Sequence, residues 1–168
     1  YEEDLGIFSQ GDSLYALKAD DRKVSLFVSD AFSLNLIQQI DLFTLGKRER
    51  VLALKKRSTG FLVLAEDVIE GAVSNFVFTA TWFDFEGRVV KASDIVSSKI
   101  PLQYLDMKMS VDSNYGALIY RQEASGESKA VTFSVSPSGG TKETFLVSKN
   151  GEQEQLIDFI VLKTGELL

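Results

Sequence analysis

The stretch TATWFDFEGRVVKASDI, from Thr79 to Ile95, has two runs rich in aromatic and β-branched residues around a polar Asp-Phe-Glu-Gly turn. This pattern predicts a β-hairpin. Two other stretches have the same design, SLFVSDAFSLNLIQQIDL and TFSVSPSGGTKETFLVS. The three turns begin at Asp30, Asp84 and Ser136, so they are spaced by 54 and 52 residues. The hairpin is therefore one instance of a repeat.

A second series of hairpins lies upstream of the first. The stretches IFSQGDSLYAL, LKKRSTGFLVL, MSVDSNYGALI and IVLKTGELL are each an extended run, a tight polar turn and a new apolar run. Their turns, marked by Asp12, Thr59, Ser113 and Thr164, are spaced by 47, 54 and 51 residues. Two series with one period near fifty predict repeating units of four antiparallel strands.

Each unit is predicted to hold four consecutive strands. The predicted strands are 4–10, 13–19, 22–30 and 34–42 in the first unit, 50–57, 60–66, 74–85 and 88–95 in the second, and 103–111, 115–123, 129–136 and 141–148 in the third. A fourth unit begins with a strand at 154–162, and its second strand has only started where the sequence ends.

Four antiparallel strands repeating at this length resemble the blades of the β-propeller superfamily, of the WD-like, kelch-like and quinoprotein-like kinds. Trp82-Phe83-Asp84 is similar to part of a WD terminus, and IDFIVLKTGELL looks like hairpins of bacterial extracytoplasmic propellers. The resemblance covers the chain and implies an all-β fold of about three and a half blades, at 1–45, 46–98, 99–150 and 151–168, within a single β domain. A β-sandwich or β-barrel with similar hairpins is the alternative.

Three and a half blades do not close a ring, because propellers have four to eight. We therefore expect the missing blades to come from a longer chain or from another subunit. Such a protein would act as part of a complex.

The composition excludes several classes of function. The net charge of −6 and the pI of about 4.8 argue against nucleic acid as a partner, since that binding relies on Lys and Arg. With neither histidine nor cysteine, the chain lacks the usual zinc and haem ligands and the histidine general base. We expect no cofactor, no metal site and no membrane span. The lack of cysteine suits an extracytoplasmic location, such as the periplasm, the cell surface or an organelle lumen.

Two acidic residues are the candidates for catalysis. Asp106 and Asp158 occupy similar places in the first strands of units three and four, and the first strand of a propeller blade lines the central channel. Paired carboxylates across a cleft are the machinery of glycoside hydrolysis. A hydrolase acting on a glycoside or a lactone is therefore an alternative function, although solvated channel residues explain the pair as well.

The main interpretation is a non-catalytic binding or scaffold module that holds a protein partner through loops on one face. The loops predicted to form this face are 20–22, 43–49, 66–73, 96–102, 123–128 and 149–153. The candidate binding residues on them are Lys47, Arg48, Glu66, Asp67, Glu70 and Glu127. A carbohydrate-binding β-sandwich is a further alternative.

The basic run KRERVLALKKR, residues 47–57, is not expected to form one patch. Its residues from Arg50 to Arg57 are assigned to a single strand, whose ends lie over ~20 Å apart at about 3.3 Å per residue. Lys47 and Arg48 are therefore expected at one face, and Lys56 and Arg57 at the opposite one.

Overall fold

The computed structural model describes residues 2–126, 128–135, 141–145 and 160–167. In this part of the chain the strands are β1 Glu2–Gln10, β2 Ser13–Asp20, β3 Lys23–Asp30, β4 Leu36–Thr44, β5 Arg50–Arg57, β6 Gly60–Ile69, β7 Asn75–Phe83, β8 Val89–Ser98, β9 Leu102–Met109, β10 Tyr115–Gln122, β11 Ser128–Ser134 and β12 Thr141–Phe145. The chain divides into two compact units, one made of 1–68 and 78–94 and the other of 69–77 and 95–168.

The described strands form three antiparallel sheets of four strands each. Their orders are β1-β2-β3-β4, β5-β6-β7-β8 and β9-β10-β11-β12, so every strand pairs with its neighbour in sequence. Short turns join these neighbours, as expected for antiparallel meanders. The three sheets confirm the prediction of repeated four-stranded blades. The division into a single β domain with blade bounds at 45, 98 and 150 stays a prediction.

The strand bounds depart from the predicted ones where the turn chemistry is unusual. β5 matches its prediction, whereas β6 continues to Ile69, three residues beyond its last pair with β5, which joins Arg50 and Glu66. β4 begins at Leu36 instead of position 34, because Leu34 has a φ of 58° and belongs to the preceding loop. The predicted strand 154–162 lies almost wholly outside the described residues.

The core of the first unit contains apolar residues from β2, β3, β6 and β7. In β2 the buried residues alternate with less buried ones, as a half-buried strand requires. Aromatic rings join the strands: the centroids of Phe61 and Phe83 are 5.2 Å apart, and those of Phe8 and Tyr15 are 5.0 Å apart. Burying one such side chain stabilises the fold by about 1.5–3 kcal/mol.

A smaller core in the second unit includes residues from the start of the fourth repeat. Ala117, Ile119 and Ala130 are buried together with Val161, and Leu167 packs against them. Val161 and Leu167 form a bridge across a turn, in which the Gly165 amide donates to the carbonyl of Leu162. The turn predicted at Thr164 is therefore present.

The first strand of every sheet contains a β-bulge at a leucine. The pairing skips one residue between Asp4 and Gly6, between Val51 and Ala53, and between Asp106 and Tyr104. The extra residues are Leu5, Leu52 and Leu105, and their spacings of 47 and 53 follow the period of the hairpins. Bulges bend a strand and redirect its side chains. These leucines therefore differ from their neighbours in that they have no partner in the ladder.

Candidate functional site

A groove of about 520 Å³ opens at one end of the strands in the first unit. The β2–β3 turn and the loop between β4 and β5 meet there, because an antiparallel meander brings alternate connections to the same end. The amide of Leu45 donates to the carbonyl of Arg22 over 2.8 Å and ties the two segments together. The structure thus brings together two of the loops predicted for the binding face, 20–22 and 43–49.

The floor of the groove is apolar and includes two bulge leucines. Leu5 comes from β1 and Leu52 from β5, and they lie beside Ala19, Leu45 and Val51. Bulges occur next to functional sites, where they redirect a side chain. Here they supply two leucines to an open groove.

The β2–β3 turn that borders the groove has an unusual backbone. Asp21 and Arg22 have φ values of 43° and 71°, the pair of positive angles of a type I′ hairpin turn. Glycine and asparagine are favoured at such positions, and an arginine there is strained by about 1–2 kcal/mol. Such strain is typical of functional segments, where a side chain is kept for its chemistry.

The rim carries charges of both signs. Arg50 Nε lies 2.6 Å from Glu66 Oε2, and the Glu66 side chain is only 8% exposed, whereas that of Arg50 is 67% exposed. Glu49 Oε2 accepts the amide of Gly46 over 2.8 Å and holds the β4–β5 loop. An apolar floor with a mixed-charge rim is the arrangement of many protein interfaces.

Four of the predicted binding residues lie at this end of the first unit. Lys47 and Arg48 are exposed on the β4–β5 loop, while Glu66 and Asp67 lie in β6 instead of on a loop. An ideal Cβ on Gly46 would be 4.0 Å from Asp67 Oδ1, which puts this carboxylate against the same loop.

The remaining two predicted binding residues are elsewhere. Glu70 is exposed directly after β6 and belongs to the second unit. Glu127 lies outside the described residues. Lys56, from the basic run, is at the far end of β5, where its Nζ donates to the carbonyl of Ser9 over 2.6 Å.

Asp106, the described member of the predicted carboxylate pair, is half-buried in β9 and its Oδ1 accepts the amide of Met107 over 2.7 Å. Burial, together with the negative charge of Asp106, raises the pKa of Tyr104. Asp158 lies outside the described residues, so the pair stays a prediction. Among the described residues, no three acidic side chains are grouped so that they could hold a metal ion.

Arg50 and the bulge leucines are site residues that were not predicted. The position of Arg50 could have been predicted from the sequence, because a hairpin that turns at Ser58 and Thr59 places residue 50 opposite residue 66 or 67. The bulge leucines could not have been predicted, since the sequence around a leucine does not show whether it is paired in the ladder or is the extra residue of a bulge.

No protein-family model and no curated protein matches this chain. Among solved structures, it is similar to the hydrazine synthase of Kuenenia stuttgartiensis, with a TM-score of 0.58 and 15% identity over 83% of this chain and 41% of that one. The WD40 domain of SCAP from fission yeast also matches, with a TM-score of 0.40 and 14% identity over 88% of this chain and 32% of that one. The chain thus spans less than half the length of these proteins. In the described part, no helix is long and apolar enough to cross a membrane. The chain has the β-propeller fold.

Proposed function

We propose that this protein is a non-catalytic binding module that holds another protein at the groove of the first unit. The observation that carries the proposal is the groove itself, with its apolar floor of Leu5 and Leu52 and its rim of charged residues. Propeller scaffolds present loops for such recognition, and the loop sequences set the partner.

Of the two acidic residues that line the groove, Asp21 and Glu49, the second is already engaged, and so is Glu66 beside the groove. Glu66 is paired with Arg50, and Glu49 accepts a backbone amide. A general acid or base needs a carboxyl group that can reach the substrate proton. Here Glu49 and Glu66 stabilise the rim, which favours binding over catalysis at these two positions.

The rim and floor together define the kind of partner. A protein segment with an apolar side chain for the floor and flanking charges for Arg22, Asp21 and Glu49 fits this surface. Aromatic and aliphatic anchors with a polar rim give most interfaces their affinity. Complementary rim charges chiefly speed association, so the binding should weaken as salt rises.

The proposal is tested with a matched pair of charge reversals. Arg22→Glu changes the groove rim, and Arg88→Glu makes the same change of charge at the opposite end of the strands, where Arg88 is exposed. Proteins captured from an extract are quantified for the native protein and for both variants. We expect at least one protein to be retained about tenfold less by Arg22→Glu and equally by Arg88→Glu.

Lys47→Glu and Glu70→Arg extend the test to the other predicted loops. Both should leave the folded protein intact, because the two side chains are exposed. Equal capture by every loop variant would show that these loops are not the binding surface.

We also propose an extracytoplasmic location and a role as a scaffold subunit whose missing blades come from a longer chain or a partner. The lack of cysteine and the three sheets of the described chain support these proposals. Fractionation of native cells with an antibody against the chain tests the location, and the mass of the native polypeptide tests the source of the missing blades.

A further inference from the structure

A second cavity lies in the second unit, between the end of β8 and the third sheet. It is a crevice of about 340 Å³. Residues 95–98 of β8 form one wall, and strands β10, β11 and β12 form the other with Tyr120, Gln122, Lys129, Val131 and Thr141. We call it the Gln122 crevice. The residues that line it differ from those of the groove in the first unit, so it is a separate site.

Cross-strand pairing places the side chains of this second wall on one face of the third sheet. Tyr120 pairs with Lys129, and Thr141 pairs with Phe133, four residues further along β11. Directly paired residues share a face, and so do residues two or four apart on one strand. Since four residues of a strand span about 13 Å, the crevice extends along the strands and suits a linear ligand.

The floor of the crevice is aliphatic. Ile95, Val96 and Val131 line it and are only 7%, 8% and 3% exposed. Among the described lining residues, Lys129 is the only one that carries a charge. A ligand of this site therefore meets C–H groups below it and neutral polar groups around it.

Three polar side chains of the lining have hydrogen-bonding capacity left for a ligand. Ser98 Oγ accepts the amide of Ile100 over 3.0 Å, which leaves its hydroxyl proton available. The Thr141 hydroxyl is exposed and the Gln122 amide is half-buried, and neither side chain is hydrogen-bonded to another described residue. A half-buried amide without a partner in the chain has to be satisfied by water or by a ligand.

The walls are held in place within the chain itself. Asn75 Nδ2 lies 2.9 Å from Ser97 Oγ, and this contact joins the end of β8 to the start of β7. Next to Gln122, the amide of Glu123 donates to the carbonyl of Pro101 over 3.0 Å. A site that is formed before the ligand arrives loses little entropy on binding.

The lining selects the class of ligand. Hydroxyl and amide groups both donate and accept hydrogen bonds, and so do the hydroxyl groups of a sugar. A phosphate or a carboxylate is bound most strongly by several charged donors, and here Lys129 is alone. The aliphatic floor matches the C–H face of a sugar ring. The groove of the first unit is different, because its charged rim suits a protein.

We propose that the Gln122 crevice binds a short linear oligosaccharide. Sugar hydroxyl groups bond with Gln122, Ser98 and Thr141, and a ring packs on Val131. The contacts are few and open to water, so the dissociation constant is on the order of 1 mM. This binding does not depend on the protein partner of the groove, and either proposal can fail without the other.

Saturation-transfer NMR with four trisaccharides tests the proposal: maltotriose, cellotriose, triacetylchitotriose and trigalacturonic acid. We expect transfer to at least one of them at about 1 mM. Gln122→Ala should weaken that binding by about three- to tenfold, because one hydrogen-bonding side chain is lost. Gln103→Ala is the matched control and should bind as the native protein does. Gln103 is exposed on β9 and pairs with Arg121, so it lies on the other face of the same sheet.

Thr141→Ala is a second variant, in case Gln122→Ala fails to fold. Thr141 is exposed, so its hydroxyl can be removed without disturbing the core, and the loss of affinity should be about threefold. Transfer to none of the trisaccharides, an equal loss in Gln103→Ala, or unchanged affinity in both crevice variants would overturn the proposal. A preference for trigalacturonic acid would support it and assign a further contact to Lys129.

Discussion

The Asp30 loop, residues 30–35, and the Asp84 turn, residues 84–88, are built on one plan and carry opposite surfaces. Asp30 is the last residue of β3 and Asp84 directly follows β7, and the Oδ1 atom of each accepts two backbone amides. In each, the aspartate amide donates to the carbonyl of the closing residue, Asn35 or Arg88. The first exposes Phe32 and Leu34, whereas the second exposes Glu86 and Arg88.

The difference lies at the left-handed position that precedes the closing residue. The Asp84 turn has Gly87 there, with a φ of 80°, and the Asp30 loop has Leu34. Glycine is the residue that three-residue hairpin loops favour at this position. The comparison teaches that the same turn plan accepts a residue that breaks the local rule, at a cost in backbone strain.

Gly87→Val should have the largest effect. A Cβ at this position would lie 2.7 Å from Ile40 Cγ2, and valine is also strained at positive φ. We expect a loss of about 2–3 kcal/mol, which lowers Tm by about 5–10 °C. Thermal unfolding measures it. Gly11→Val is the control, because Gly11 has a φ of 56° and open space around it, and an equal loss there would mean that the contact with Ile40 contributes nothing.

Leu34→Gly should stabilise the fold. Relief of the left-handed strain outweighs the added entropy of the unfolded chain, leaving a gain of about 0.5 kcal/mol. Urea denaturation measures the gain. Lower stability in this variant would mean that Leu34 makes contacts that support the loop.

The Asp30 loop should loosen at acid pH. The hydrogen bonds from the Ser33 amide and hydroxyl, followed by that of Phe32, lower the pKa of Asp30. Since the folded pKa is below the unfolded one, the stabilisation is complete above about pH 4 and disappears as the pH falls through the folded pKa. Carboxyl NMR shifts measure this titration. Ser33→Ala removes the hydroxyl and keeps the amide, so it should return the pKa part of the way towards its ordinary value, and an unchanged pKa would remove the Ser33 hydroxyl as a cause.

Arg88→Ala should have the smallest effect. Its guanidinium lies 3.2 Å from Glu86 and 3.9 Å from Asp84, but the Arg88 side chain is 76% exposed. Exposed ion pairs contribute ~0–1 kcal/mol, so chemical denaturation should give a change below about 0.5 kcal/mol. A loss above 1 kcal/mol would mean that the charged side chains of the Asp84 turn are as important as its backbone.

The sequence was sufficient for the repeat and for most strands, because alternation and turn residues are local signals. The turns at Asp30 and Asp84 were predicted at the positions where they occur. The end of β6 was not, since Asp67 is a typical loop residue and yet lies in the strand beyond its last pair with β5.

The candidate site was predicted only in part, because it depends on how distant segments meet. The loops at 20–22 and 43–49 were assigned to one face from the order of the strands alone. The ion pair of Glu66 with Arg50 depends on cross-strand register, and the apolar floor depends on bulges that leave no mark in the sequence. Leu34 was assigned to a strand because nothing local indicates a leucine at positive φ.

The extra leucine in β1, β5 and β9 sets the point at which the side-chain alternation of each strand shifts. It shifts the inward and outward alternation by one residue at the same place in each repeat. Side chains at alternate positions that face the core before the leucine therefore face away from it after the leucine. A chimera that exchanges first strands between repeats would keep its core only if each exchanged segment brings its own leucine. The exchange of first strands is therefore least disruptive when the junctions lie in the turns, so that each whole strand is moved together with its bulge.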